Sequence, residues 1–214
     1  DHTGRRCMKE TQYGTGGKKR FERSLAWIRY AELNESDKSL HPSHLVDEDG
    51  YTYLNVPFGT EKIYDSFSGA LVQVRTHQLI KDGNYEHRSL HGPTIEYFEN
   101  GKVKAKGTYK NGALDGLFEK FYPDGKKLSS GTYQNGIEIG TWQTWYPNGK
   151  PSSVYFYDIE SAHPFTPCKK EWAENGQLIL EQVLDVSGTG YLREWTPQGI
   201  KTHDVDIYML ERTR

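Results

Sequence analysis

A period of 24 residues constrains this chain more than any other feature. Gly116-Leu-Phe-Glu-Lys-Phe121-Tyr-Pro-Asp-Gly125 lines up with Gly140-Thr-Trp-Gln-Thr-Trp145-Tyr-Pro-Asn-Gly149 at an offset of 24, and Gly92-Pro-Thr-Ile-Glu-Tyr97-Phe-Glu-Asn-Gly101 lies 24 residues earlier. The linking segments repeat too, Gly107-Thr-Tyr109-Lys-Asn-Gly112 recurring as Gly131-Thr-Tyr133-Gln-Asn-Gly136. Self-similarity at a fixed spacing of this length is the mark of a repeat array, in which each unit buries its faces mainly against its neighbours.

Weaker copies extend the array. Gly59-Thr-Glu-Lys-Ile-Tyr64, Pro167-Cys-Lys-Lys-Glu-Trp172 and Gly190-Tyr-Leu-Arg-Glu-Trp195 each place an aromatic five residues after the opening position, as do the three clear copies. The closing glycines at 69, 101, 125, 149, 176 and 199 put insertions in the first and fourth intervals and define about six units.

Two turn signals per unit imply two strands per unit. Asn111-Gly112 and Asn135-Gly136 suit type I′ hairpin turns, which need positive φ at both central positions. Pro123-Asp-Gly125 and Pro147-Asn-Gly149 supply the opposite turns, proline setting φ early and glycine tolerating the left-handed conformation. The expected fold is mainly β, an elongated, twisted, single-layer antiparallel meander of repeated hairpins. Counting outward from the two-residue turns sets Gly131 opposite Gly140 between Tyr133 and Trp142, and Gly107 opposite Gly116 between Tyr109 and Phe118. Each pair of glycines forms a gap for the neighbouring rings. By parity Tyr122 and Tyr146 continue that face, while Phe121 and Trp145 fall on the other.

Composition fits such an array. Of 214 residues 35% are hydrophobic, low for a thick core, yet 13% are aromatic and 22 are glycine. Rings packed over glycines hold a strongly twisted sheet together without many aliphatic side chains. The aromatic content argues against disorder, no apolar run reaches the roughly 20 residues of a membrane-spanning helix, and a net charge of -2 argues against nucleic acid as partner.

The repeat residues resemble the MORN repeat, the membrane occupation and recognition nexus motif, in its bacterial variant form, over about residues 59–201. The resemblance implies a twisted array of β-hairpins used for binding. Similar variant repeats occur in an antitoxin-like family and in immunity proteins encoded beside secreted bacterial toxins, including phospholipase effectors, while eukaryotic relatives serve as scaffolds at membranes. It therefore implies a non-catalytic protein that neutralises a cognate toxin by direct binding, in a setting such as type VI secretion. The alternative is a membrane-associated scaffold that binds phospholipid head groups. Neither role follows from spacing.

Three segments result: an N-terminal cap over 1–58, the repeat array over 59–201 and a C-terminal strand or tail over 202–214. In the cap, Phe21, Leu25 and Ile28 have helical spacing, whereas Leu25, Trp27 and Arg29 would alternate on a strand. The insertion between Gly69 and Gly92 suggests a longer hairpin around Asp82-Gly83. A basic stretch with Arg5, Arg6, Lys9, Lys18, Lys19, Arg20 and Arg23 precedes an acidic one with Glu32, Glu35, Asp37, Asp47, Glu48 and Asp49. Such runs serve as solvated surface or as a dock for a charged partner.

Chemistry is hard to place on these residues. Gly14-Thr-Gly-Gly17-Lys18-Lys19 lacks the first glycine of a phosphate loop, where Gln12 stands, and the Ser or Thr that would bind magnesium, where Lys19 stands. His41 and His44 are separated by proline, and His87 and His91 lie in a strand-and-turn region with no third ligand indicated. No nucleophile elbow is present. Neither an enzyme, a cofactor nor a metal is expected.

Cys7 and Cys168 either form a disulfide, if the chain is exported, or stand as two thiols in the cytoplasm. The sequence begins at Asp1, so a targeting segment would be out of view; an exported, periplasmic location is expected, with a cytoplasmic one as the alternative. Phe118, Phe121, Tyr122, Trp142, Trp145 and Tyr146 are the candidate partner-binding rings, because Trp and Tyr dominate interface hot spots. Gly107, Gly116, Gly131 and Gly140 are the candidate structural glycines.

Overall fold

The computed structural model describes residues 7–29, 45–46, 52–82, 85–157, 168–184 and 188–208. The chain forms two compact units, Asp1–Ala113 and Leu114–Arg214. Both are antiparallel β-sheets in which strands close to one another in sequence pair.

In the first unit β1 (Cys7–Tyr13), β2 (Lys19–Arg29), β4 (Thr52–Tyr64), β5 (Leu71–Asp82), β6 (Tyr85–Tyr97) and β7 (Val103–Lys110) lie side by side in that order, and the short β3 (Leu45–Val46) pairs with β4. A single 3-10 turn, Thr15–Gly17, joins β1 to β2. The ambiguous N-terminal segment is thus strand over 19–29, and the boundary expected at residue 58 falls inside β4. The insertion forms a long hairpin, with Asp82 paired to Tyr85; its turn residues 83–84 lie outside the described residues.

After β8 (Ala113–Leu114), the second unit is an open meander. It runs in order through β9 (Gly116–Phe121), β10 (Lys127–Gln134), β11 (Ile137–Trp145), β12 (Pro151–Tyr157), β13 (Cys168–Trp172), β14 (Leu178–Leu184), β15 (Gly190–Trp195) and β16 (Lys201–Ile207).

The turns obey the chemistry of their residues. Asn111 and Asn135 both have φ 51°, followed by Gly112 at 88° and Gly136 at 82°, the paired positive values a type I′ turn requires. The opposite turns share another bonding pattern. The Tyr122 N–H donates to the Lys126 carbonyl and the Gly125 N–H to the Tyr122 carbonyl, both at 2.8 Å, and the pattern recurs at Phe98, Tyr146, Ala173 and Thr196. Asn100, Asp124, Asn148 and Asn175 each accept, through the side-chain oxygen, the N–H two residues on. This self-bonding is why Asn or Asp precedes each of those glycines.

Little is fully buried. Among the described residues the buried apolar side chains are Ala105, Trp142 and Leu184, joined by the polar Glu61, His77, Thr94, Glu119 and Ser153. A single layer has no interior in the usual sense, so its packing runs sideways from strand to strand.

One expected register is corrected. Near its turn the β10–β11 hairpin pairs as counted, Thr132 with Ile139, but farther out Ser130 faces Gln143. Gly131 alone therefore spans Gly140, Thr141 and Trp142 instead of facing Gly140. Gly140 has φ +63° and turns β11 out of the ladder, a bulge that sequence counting from the turn does not reveal. The other expected glycine pair, Gly107 with Gly116, joins residues of different units; within its own unit Gly107 faces Thr94 and Gly116 faces Tyr133.

Candidate docking surfaces

In the second unit the bulge brings a ladder of rings onto one face. Phe118 meets Tyr133 edge-on at 5.6 Å between centroids, and Tyr133 meets Trp142 edge-on at 5.0 Å, geometries that suit the ring quadrupoles. Trp142 is 8% exposed, lies over Gly131 and donates its indole N–H to the Thr132 carbonyl at 3.3 Å. Tyr133 donates its hydroxyl to Glu138 at 3.0 Å, and Lys120 stands over Phe118. Trp142 is therefore held mainly within the fold, while Phe118 is half-buried at its edge.

Tyr122 and Tyr146 act along the array. The Tyr122 hydroxyl donates to the Trp145 carbonyl and the Tyr146 hydroxyl to the Trp172 carbonyl, each at 2.8 Å. Every such tyrosine reaches the next turn of the same type. Lys126 and Lys150 add ammonium donors to the Pro147 and Asn175 carbonyls at 2.7 Å each.

On the opposite face, Lys127 faces Phe121 in register, pairs with the buried Glu119 at 2.6 Å and stands over the Trp145 ring at 5.6 Å. The same face carries exposed apolar side chains. Leu117, Thr132 and Ile139 are register partners on β9, β10 and β11, and Phe156, Cys168, Val183 and Tyr191 are partners on β12 to β15. Leu117 is 57% exposed, Ile137 67% and Phe156 42%. Beside them runs a charge ladder, Lys170–Glu181 at 2.9 Å, Arg193–Asp204 at 3.0 Å and Lys201–Asp204 at 2.7 Å. The candidate rings taken from the repeat did not include Leu117, Ile137 or Phe156. Their signal is their position on the strand face opposite the conspicuous rings.

The first unit holds a cluster that the sequence did not disclose. Glu61, 3% exposed, is bonded by Arg75 at 2.5 Å and His77 at 3.1 Å and approached by Arg23 at 3.7 Å; Arg23 in turn holds Glu10 at 2.9 Å. The registers explain it. Phe118 faces Gly131 and Gly116 faces Tyr133, whereas in the degenerate unit Glu61 faces Arg75 and Gly59 faces His77. A carboxylate replaces the ring, an arginine the glycine and a histidine the tyrosine. Burial alone would raise the Glu61 carboxyl, but hydrogen bonds from His77 and Arg75 outweigh it and bring it down to about 2.

The remaining candidates are quickly placed. His91 accepts the Asn111 N–H at 3.4 Å, and His41, His44 and the side chain of His87 lie outside the described residues. No group of three or more His, Cys, Asp or Glu that could hold a metal occurs among the described residues. No helix there is long and apolar enough to cross a membrane. Cys168 is half-buried; the side chain of Cys7 lies outside the described residues, and so does the expected pairing of the two.

The chain matches no curated protein. Residues 90–111, 114–135 and 138–158 match the family model of the MORN repeat variant, a narrower span than the six units read from the sequence. These three segments, which take in β7, β9, β10, β12 and most of β11 with the ring ladder, are similar to MORN repeats.

Proposed function

We propose that this chain is a non-catalytic repeat array that works as a membrane-associated scaffold, meeting phospholipid head groups with its cation-bearing aromatic side chains. The carrying observation is the recurrence of cation-over-ring pairs in both units. They are Arg23 on Phe21, Lys120 on Phe118, Lys127 on Trp145, Lys169 on Tyr155 and Arg193 on Tyr191. Aromatic rings favour the head-group level of a bilayer, and a Lys or Arg near the surface adds about 1 kcal/mol of attraction to an anionic leaflet, less for Arg23, Lys127, Lys169 and Arg193, each of which also pairs with a carboxylate. The similarity to MORN repeats supports the same reading. Sedimentation of the chain with phosphatidylserine-containing vesicles at low salt, and its release at high salt, is the expected result. Absence of sedimentation at low salt sinks the reading.

A second reading, a protein that neutralises a cognate toxin, is favoured by the exposed Leu117, Ile137 and Phe156, since apolar side chains gathered on one face suit a protein partner. It expects capture of the product of an adjacent gene, and loss of that capture in Ile137→Asp.

A further inference from the structure

We propose that the first unit carries a dedicated membrane-docking tip, made of the β1–β2 and β4–β5 turns side by side, which inserts Phe67 into an anionic lipid surface. The inference rests on the membrane reading above and assigns it a place outside the residues similar to MORN repeats.

Phe67 is 87% exposed, more than any other large hydrophobic side chain among the described residues. Its backbone is nevertheless fixed on both sides. The Asp65 carboxylate accepts the Phe67 N–H at 3.0 Å and the Ser68 N–H at 2.7 Å, and the Lys18 ammonium donates to the Phe67 carbonyl. The turn itself closes with the Gly69 N–H on the Asp65 carbonyl at 2.9 Å. The turn beneath the ring is pre-ordered by these bonds, so inserting it costs little further backbone entropy.

The neighbouring turn supplies the matching charge. Lys18, Lys19 and Arg20 follow the 3-10 turn, with Lys18 and Arg20 exposed. Tyr13, 60% exposed, faces Lys19 in register. Of the acidic groups nearby, Glu22 takes Lys19 at 2.5 Å and the Tyr64 hydroxyl at 2.8 Å, while Asp65, bonded to the neutral donors of Phe67 and Ser68, keeps its negative charge near Lys18. Lys18 bonds to a neutral carbonyl and offsets the Asp65 charge, and with the exposed Arg20 it leaves the two turns together with an excess of positive charge. Two exposed cations and two exposed rings at one tip match the head-group zone of an anionic membrane, where rings settle at the interface and cations are drawn to acidic lipid.

The test uses the full chain with phosphatidylcholine vesicles with and without phosphatidylserine. Binding to the anionic vesicles is expected to weaken about tenfold in Phe67→Ala, from lost apolar burial. Arg20→Glu should weaken it by about the same factor at low salt, the difference vanishing at high salt. A Phe67→Trp chain should show a blue-shifted fluorescence increment on binding that brominated lipid quenches. If the unaltered chain binds anionic vesicles while Phe67→Ala and Arg20→Glu bind equally well, or if brominated lipid leaves the added fluorescence of the Phe67→Trp chain unquenched, the tip is overturned and the membrane reading stands. If the unaltered chain binds no vesicle, both are overturned.

Discussion

The Trp142 ring lies across the backbone of Gly131 so closely that a Cβ on that glycine would stand 2.0 Å from Trp142 Cδ2. Glycine is required there for space and not for backbone conformation. The contact is what replaces a second layer in this part of the sheet. Gly131→Ala forces the indole out of its place, and overpacking of this kind costs about 2 kcal/mol. The expected readout is a lower urea midpoint together with a weakened near-ultraviolet circular dichroism signal from Trp142. An unchanged midpoint would refute the packing account.

The tyrosine staples yield a second prediction. Tyr122→Phe and Tyr146→Phe each remove one hydroxyl from a carbonyl 2.8 Å away while keeping the ring, so each should cost about 1 kcal/mol. The two bonds meet at the Tyr146 turn but use different donors and acceptors, so the double variant is expected to lose roughly the sum in denaturant titration. A loss equal to that of one variant alone would mean that the staples are not independent.

Turn conformation gives a third. Asn135 sits at φ 51°, where a β-branched side chain is disfavoured by about 1–2 kcal/mol. Asn135→Gly should leave thermal stability within a few tenths of a kcal/mol, and Asn135→Val should lower it. Equal melting temperatures for the two variants would contradict the assigned turn.

Acid sensitivity follows from Glu61. Its carboxyl is held at about 2 in the fold, below the ordinary 4.5. A lowered folded value contributes stability that is present above the ordinary value and is lost as pH falls through the interval from 4.5 toward 2. Denaturation at pH 6 and pH 3 is expected to differ, with Glu61→Gln flattening that difference. The same variant should cost about 3 kcal/mol at pH 6, because it strips charge from a buried network and leaves Arg75 without its partner. A Glu61→Gln chain with the acid profile of the unaltered one would remove Glu61 as the cause.

The hairpins and their turns were legible because they depend on local chemistry. Asn-Gly pairs, Pro-Asp-Gly and Pro-Asn-Gly segments and the period itself specify backbone conformation within a few residues. The candidate rings were legible only in part. Parity along a strand separates Phe118 from Phe121, yet Gly140 inserts a bulge, and only after the bulge is known does Trp142 come to rest on Gly131. The Glu61 cluster was invisible for another reason: Glu61, Arg75 and His77 are ordinary charged residues in a degenerate copy, and their partnership appears once β4 and β5 are set in register.

Sequence alone determined the two-strand period, the turn types and the reliance on glycine and aromatic residues, since each is fixed by backbone sterics and by side chains within one hairpin. Tertiary structure decided which side chains are occupied within the sheet and which face outward, because that depends on bulges and on neighbours up to dozens of residues away. Trp142, prominent in the repeat, was thereby drawn into the packing, and Phe67, outside every clear copy, was left standing in solvent at the tip of a braced turn.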